Sequence, residues 1–396
     1  LAMSKRLADR GLDHVVLERG EIGETWRRQR WDSFRLNTNN RMNVLPGDGV
    51  HADPDAFLHR DEWIAELERY ASRHRLPVRT HARVVSVSAS DGAGFVVATA
   101  DGQTHRTRHV VVASGVANTT RTPRIAGSID PRVRLFTTAT YRRPSDLPPG
   151  AVLVVGSAQS GAQIAEDLVA AGRTVYLATG RVGRAPRRLR GADTLVWLCE
   201  SGWMTQRPED LADRSLIRAA QPLISGIGPR GKSLSLQDLA RQGVTLLGHL
   251  DAADGTRLRF ADDLDAHVRQ GDALSQNIRT HIHEYLARAG IDAPASDPDP
   301  VDEPAASSRY ESPRELDLAD RGVTSIVFSI GFDTDRSWLR VPALGPDGEA
   351  LHEGGRSPVP GLWWIGLLWM RHRRSGIIHG AAFDSEHIAE RIAGGS

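Results

Sequence analysis

The chain has 396 residues, 40% of them hydrophobic, and a formal net charge of +1, which is enough for two ordinary cores and excludes a fibre or a charged tail. So even a balance offers no global field to nucleic acid or an anionic membrane, and with lysine confined to Lys5 and Lys232 any anion recognition falls to local arginines. No apolar run reaches about 18 residues, so no membrane-spanning helix is read, and the single Cys199, read as a buried or helix-face residue, excludes an internal disulfide and a redox dithiol pair.

Leu1 to Arg10 reads as a helix stopped by Gly11, and His14 to Gly20 as a short buried strand with Glu18 near its end. This is the back half of a dinucleotide-binding βαβ unit, in which the acid accepts hydrogen bonds from a ribose. A strand and glycine turn of roughly 10 to 15 residues are expected before Leu1, and a parallel sheet lacking that strand would hold its cofactor poorly. Asp61 to His74 carries Trp63, Ile64, Leu67 and Tyr70 at helical spacing, while Arg83–Ser88 and Gly94–Thr99 alternate like antiparallel strands joined at Asp91-Gly92. His109 to Gly115 is a buried strand ending in small residues, Ala113, Ser114 and Gly115, past which a flat ring or phosphate can lie close to backbone. The proline-rich stretch from Arg142 to Gly150 reads as a crossover.

A second unit follows complete. Val152 to Val155 is a strand covered on both faces, Gly156-Ser157-Ala158-Gln159-Ser160-Gly161 is a glycine turn, and the helix beyond it runs to about Ala171 with Gly172 as its stop. The free N–H groups at that helix start suit a pyrophosphate, although Ala158 stands where a G-x-G-x-x-G turn has its middle glycine. After the next strand, Thr174 to Ala178, come Arg181, Arg184, Arg187 and Arg188 in place of an acid. Guanidinium groups there favour a 2′-phosphate, and Arg181 and Arg187 are singled out for it; the bland alternative is a solvated basic loop.

From Ala192 to Ala306 the pattern weakens, with helices over Ser233–Arg241 and Ala261–Ala289, a strand over Val244–Leu247 and an acidic proline-rich loop from Pro294 to Pro304. His281 and His283, two apart on a helix, cannot share a metal and read as structural. Thr324 to Phe332 and Leu362 to Gly366 are two more buried strands ending in glycine, and a terminal helix spans Ile377 to Ile392.

The order Glu18-Arg19-Gly20, Gly23-Glu24-Thr25-Trp26-Arg27, Ala113-Ser114-Gly115, Gly156 to Gly161, Ser329-Ile330-Gly331-Phe332 and Trp364-Ile365-Gly366 resembles the flavin-containing monooxygenases. It is most similar to the bacterial branch often labelled as flavoproteins of potassium transport, through Arg35-Leu36, Asn40, Met42, Leu45-Pro46-Gly47 and Arg374-Ser375-Gly376. The resemblance implies an α/β fold of two Rossmann-like three-layer domains, the NADPH domain (146–320, with a helical insertion) inserted into an FAD domain (1–145 and 321–396). It assigns cofactor contacts to Glu18, Arg19, Trp26, Arg27, Val85, Ala113, Ser114, Gly115, Gly331, Phe332, Gly366, Ser375 and Gly376, beside the Gly156–Gly161 turn. Within Asn37-Thr38-Asn39-Asn40-Arg41-Met42 either Asn37 or Asn40 matches the family's asparagine near the flavin. The chain departs from the family in lacking the first glycine fingerprint, in Ala158, and in having no F-x-G-x-x-x-H where Phe136 to Tyr141 stands; the last puts Baeyer–Villiger activity in doubt.

The implied reaction is carried by cofactors: NADPH reduces FAD, O₂ forms a flavin C4a-hydroperoxide, and one oxygen passes to a nitrogen, sulfur or carbonyl centre of a small organic substrate. The alternatives are an NADPH:acceptor reductase or oxidase, and a flavin-bound redox sensor linked to ion transport. A cytoplasmic enzyme is expected, with no nucleic-acid partner, no metal and a homodimer left open.

Overall fold

A computed structural model of the chain describes residues 1–395 apart from 117–118, 219–220, 229–230, 296–297, 303–309 and 311, so the expected loop from Pro294 to Pro304 lies partly outside the described residues. In chain order the first elements are α1 (Ala2–Asp9), β1 (Val16–Leu17), α2 (Glu24–Gln29), α3 (Arg60–Arg73), β2 (Val78–Arg79), β3 (Val84–Ala89), β4 (Phe95–Thr99), β5 (Thr104–Thr107), β6 (Val110–Val112), β7 (Thr119–Thr120) and β8 (Arg134–Thr137). Next come β9 (Ala151–Val155), α4 (Gln159–Ala170), β10 (Val175–Ala178), β11 (Arg188–Leu189), β12 (Ala192–Asp193), α5 (Thr194–Glu200), α6 (Leu236–Arg241), β13 (Thr245–Leu247), β14 (Leu250–Asp254), β15 (Arg257–Phe260) and α7 (Leu264–Ala289). The chain closes with β16 (Glu315–Asp317), β17 (Val323–Phe328), β18 (Phe332–Asp333), β19 (Leu362–Trp364) and α8 (Ile378–Ala393).

Five strands in the order β13-β10-β9-β17-β8, all parallel, form the larger α/β unit. All five residues of β9 are buried, as a strand covered on both faces must be. Two of the strands lie outside the expected limits of the second domain: β8 precedes residue 146 and β17 follows 320, yet both are hydrogen-bonded into this sheet. The reason is pairing geometry, since β17 matches β9 on one side through Ile326↔Leu153 and β8 on the other through Ile326↔Leu135.

On the other side, β1 pairs in parallel with β2, and β6 in parallel with β19. The segment expected as a strand over His14–Gly20 is ladder-paired only at Val16 and Leu17, with the Glu18 N–H still donating to the Arg79 carbonyl at 2.9 Å. β3 and β4 form the expected antiparallel pair, and β5, not expected from sequence, extends it to a three-stranded meander.

Local chemistry sets the helix ends. His59 caps α3 by accepting from the Asp61 N–H, while the Glu62 carboxylate accepts from the His59 N–H at 2.6 Å. Gly172, at φ +76°, follows α4, and Gly290, at φ +64°, ends the 26-residue α7, both left-handed positions that favour glycine.

The largest core cluster is continuous across the two units, joining Trp31, Phe34, Trp63 and Tyr70 to Val152, Val154, Ile164 and Leu168. A second packs α1 and α8 through Met3, Leu7 and Ile388 against Trp363, Trp364 and Phe95. Each fully buried aliphatic or aromatic side chain contributes roughly 1.5–3 kcal/mol. No helix among the described residues is long and apolar enough to cross a membrane.

Candidate dinucleotide sites

Gly156 ends β9 at φ +102°, where an added Cβ would meet the Ser329 carbonyl oxygen at 2.5 Å, and a Cβ on Gly161 would lie 1.8 Å from the Gly156 oxygen. Glycine is therefore required at both positions by the closeness of strand, turn and helix. Ala158 is the N-cap of α4 and makes no side-chain capping bond, so the first N–H groups of the helix remain for a ligand. Its methyl packs against the main core, which is why alanine is tolerated where the family turn has glycine. The buried Ser157 hydroxyl accepts the Gly180 N–H at 3.0 Å and so binds this turn to the one after β10. Ser160 is half-buried at the helix start. Gln159 faces the insertion instead, donating to the Ser225 carbonyl at 2.5 Å and accepting from the Ile224 N–H at 3.0 Å.

The four arginines after β10 divide by burial. Arg181 is exposed, its Nε donating to Gln270 at 3.0 Å, and Arg188 is exposed as well. Arg184 is buried against Asp272 and Asp302. Arg187, expected to meet a 2′-phosphate, is 1% exposed and ion-paired with Asp193, with its guanidinium over the Phe57 ring at 4.8 Å. A buried arginine already neutralised by a carboxylate is not free to recruit a phosphate, and this expectation is corrected.

The first set of residues gathers at the carboxyl ends of β6 and β19. Val112 is in register with Trp364, so Ala113-Ser114-Gly115 and Gly366 leave neighbouring parallel strands side by side. Gly115 (φ +70°) and Gly366 (φ +81°) both have open space where a Cβ would point, and Ala113 and Ser114 are exposed. This is a cradle of small residues, in the place where open α/β sheets take ligands. Ser375 is buried and its hydroxyl accepts the Arg371 and His372 N–H groups at 3.2 Å each, closing the turn into α8. Gly376 (φ +86°) passes within 3.0 Å of the Leu368 backbone nitrogen, measured from an added Cβ, and α8 begins without a side-chain cap.

Glu18 stands half-buried at the end of β1, one carboxylate oxygen accepting the Gly20 N–H at 3.1 Å, and Arg19 beside it is exposed. Trp26 and Arg27 are drawn toward α3: Trp26 meets the Trp63 ring edge-on at 6.1 Å and Arg27 pairs with Glu68. Val85 lies on β3, 38% exposed. Gly331 (φ +94°) follows β17 into Phe332, whose ring lies 5.6 Å from the Arg30 guanidinium. Burial lowers that guanidinium to about 10.

The two asparagines separate. Asn40 is buried in a 3₁₀ turn, its amide donating to the Asp53 carbonyl at 2.8 Å. Asn37 faces α4: its amide oxygen accepts from Gln163 at 3.3 Å and its backbone carbonyl from Arg187 at 2.9 Å. Gln163 and Asp193 were not singled out from sequence. Gln163 lies one turn beyond Gln159 on the same helix face, a visible signal, and both donate to the Ser225 carbonyl.

A family model for pyridine nucleotide-disulphide oxidoreductases matches residues 1–220. The chain belongs to this family. It is an oxidoreductase. It is 26% identical over 381 residues to "Uncharacterized oxidoreductase CzcO-like" of Geobacillus kaustophilus, covering 96% of this chain and 90% of that protein. It is also 26% identical over 282 residues to the indole-3-pyruvate monooxygenase YUCCA1 of Oryza sativa, covering 68% of this chain and 69% of that one. Among solved structures, a flavin-containing monooxygenase from Stenotrophomonas maltophilia superposes with a TM-score of 0.63 at 18% identity, covering 99% of this chain and 94% of that chain. The two-Rossmann α/β fold expected from sequence is thus the fold found.

Proposed function

We propose that the protein is an FAD monooxygenase that uses NADPH and O₂ on a small organic substrate with a nucleophilic nitrogen or sulfur, or a carbonyl carbon. The observation that carries this reading is the presence of two glycine-lined strand ends in one chain, Gly115 beside Gly366 and the Gly156–Gly161 turn, with Asn37 hydrogen-bonded to the helix that follows the second. Monooxygenases among the similar proteins support it.

The residues fit both groups. Glu18, the small residues Ala113–Gly115 and Gly366, and the uncapped start of α8 suit FAD; the α4 start and the exposed Arg181 suit the pyrophosphate and 2′-phosphate of NADPH. FAD, when bound, would supply hydride acceptance and oxygen activation. The chain binds and orients the two rings, offers the Asn37 amide as a donor, and keeps water away with its surrounding core. Thiol chemistry has little support here: Cys199 is the only cysteine, and burial pushes its thiol up to about 11.

The test is stopped-flow absorbance on protein carrying FAD, reduced with NADPH and then mixed with O₂. A long-lived reoxidation intermediate whose decay is hastened by an organic substrate, with ¹⁸O from O₂ found in the product, supports the reading. Peroxide formed mole for mole with NADPH consumed, whatever substrate is present, replaces it with a reductase or oxidase.

A further inference from the structure

Two residues of the inserted domain hold Asn37 from opposite ends. Gln163, on the second turn of α4 and 2% exposed, donates its amide to the Asn37 side-chain oxygen at 3.3 Å and to the Ser225 carbonyl at 2.8 Å. Arg187 donates to the Asn37 backbone carbonyl at 2.9 Å while its own carboxylate partner, Asp193, and the Phe57 ring fix the guanidinium plane. Its backbone N–H is bound too, by the Ser233 hydroxyl at 2.7 Å. An amide whose oxygen is already taken is oriented with its NH₂ pointing away from that partner, and among the described residues the Asn37 NH₂ makes no hydrogen bond.

We infer that Gln163 and Arg187 are positioning residues that set the direction of the Asn37 amide donor, so that the nicotinamide-side domain fixes the geometry of the flavin-side asparagine. This rests on the monooxygenase reading for the use of Asn37, but the grip itself does not. Gln163 does so through the amide oxygen and Arg187 through the main chain. The α4 helix that starts at the pyrophosphate turn thus also carries, one turn in, the group that aims Asn37.

The experiment compares wild type with Gln163→Leu, Gln163→Glu, Gln159→Leu and Asn37→Ala. The first readout is amide hydrogen exchange over residues 36–42 without any nucleotide, where Asn40 and Met42 donate to Ala56 and Asn39. Gln163→Leu is expected to speed it roughly three- to tenfold, the worth of one hydrogen bond. Gln159→Leu removes the other donor to the same Ser225 carbonyl without touching Asn37 and leaves residues 36–42 as in wild type. The second readout is the share of NADPH oxidation that ends as peroxide in the holoenzyme. Gln163→Leu raises it several-fold with the KM for NADPH unchanged, and Gln163→Glu recovers coupling as pH is lowered and its carboxyl regains a proton to donate.

Wild-type exchange in Gln163→Leu, or equal loosening by Gln159→Leu, overturns the inference. If Gln163→Leu does not fold, Gln163→Glu carries the test, and a coupling that ignores pH overturns it. Should Asn37→Ala stay fully coupled, the role of Asn37 in the reaction falls, and the exchange result still decides whether Gln163 holds it.

Discussion

The phenol of Tyr141 donates to the Asp167 carboxylate at 2.6 Å, while the hydroxyl of Ser33 donates to its other oxygen at 2.7 Å. One acid on α4 therefore collects donors from two separate segments of the flavin side, and Tyr141 is fully buried. Burial, then the neighbouring Asp167, pushes the phenol far above its ordinary value, so it remains a donor throughout the usual pH range. A hydrogen bond to a charged group contributes about 1.5–3 kcal/mol. Tyr141→Phe is expected to lower unfolding stability by about that amount, and Ser33→Ala by less, because Ser33 is more exposed. Urea midpoints at pH 7 measure both; equal midpoints for wild type and Tyr141→Phe would show that the bond contributes nothing.

Gly161→Ala places a methyl 1.8 Å from the Gly156 oxygen, and backbone rather than a flexible side chain must give way. Overpacking of this kind costs about 1–3 kcal/mol and here also displaces the α4 start. NADPH binding, followed by nucleotide fluorescence, is expected to weaken more than tenfold, since roughly 1.4 kcal/mol suffices for that factor. Ala158→Gly is the contrast: its methyl packs on the core but closes no contact the turn requires, so binding stays within a few-fold of wild type. Equal losses in the two variants would remove the special place given to Gly161.

Strand–turn–helix units were legible because their signals are local. Five consecutive apolar residues, a glycine and a helix with Gly172 behind it can be read from β9 to the end of α4, and the apolar runs of β6 and β19 can be read by the small residues that follow them. Strand partners were not legible, which is why β8 and β17 fell outside the expected limits of the sheet they belong to. The arginines after β10 illustrate a second boundary. Arg181, Arg184, Arg187 and Arg188 look alike in sequence, but the acids that claim Arg184 lie 88 and 118 residues away. Asp193, which claims Arg187, is only six residues on, and the hairpin of β11 and β12 that returns it was the missing step.

Arg181 is left as the exposed cation immediately after Gly180, beside the Ser157 contact that links the two turns. A charge-assisted bond to a 2′-phosphate contributes about 1.5–3 kcal/mol, so Arg181→Ala is expected to raise the KM for NADPH by roughly 10- to 100-fold. NADH lacks that phosphate, and its KM is expected to change less than twofold. Arg187→Ala, by contrast, strips a partner from the buried Asp193 and is expected to lower stability by about 3–5 kcal/mol with either nucleotide affected alike. A parallel rise in both KM values for Arg181→Ala would return that residue to the solvated loop.

Acid stability is set in part by histidines of the C-terminal turn and helix. Burial, with Arg374 adding to it, pushes His379 down to about 4, and burial with Arg371 nearby does the same to His372 and His387. An unfolded histidine titrates near about 6.5. Between those values the unfolded chain binds more protons than the folded one, so unfolding free energy rises with pH. The stabilisation from keeping these rings neutral is complete above about pH 6.5 and is lost as pH falls toward about 4, below which it adds no further slope. His379 packs edge-on to Phe383 at 5.4 Å, with the Arg374 guanidinium over the same ring, so a charge on the imidazole would meet another cation. His379→Gln, which cannot titrate, is expected to flatten the fall in urea midpoint between pH 6.5 and 4.5 relative to wild type, whatever its offset at pH 7. Superimposable slopes for the two proteins would mean that His379 titrates alike in the folded and unfolded chains.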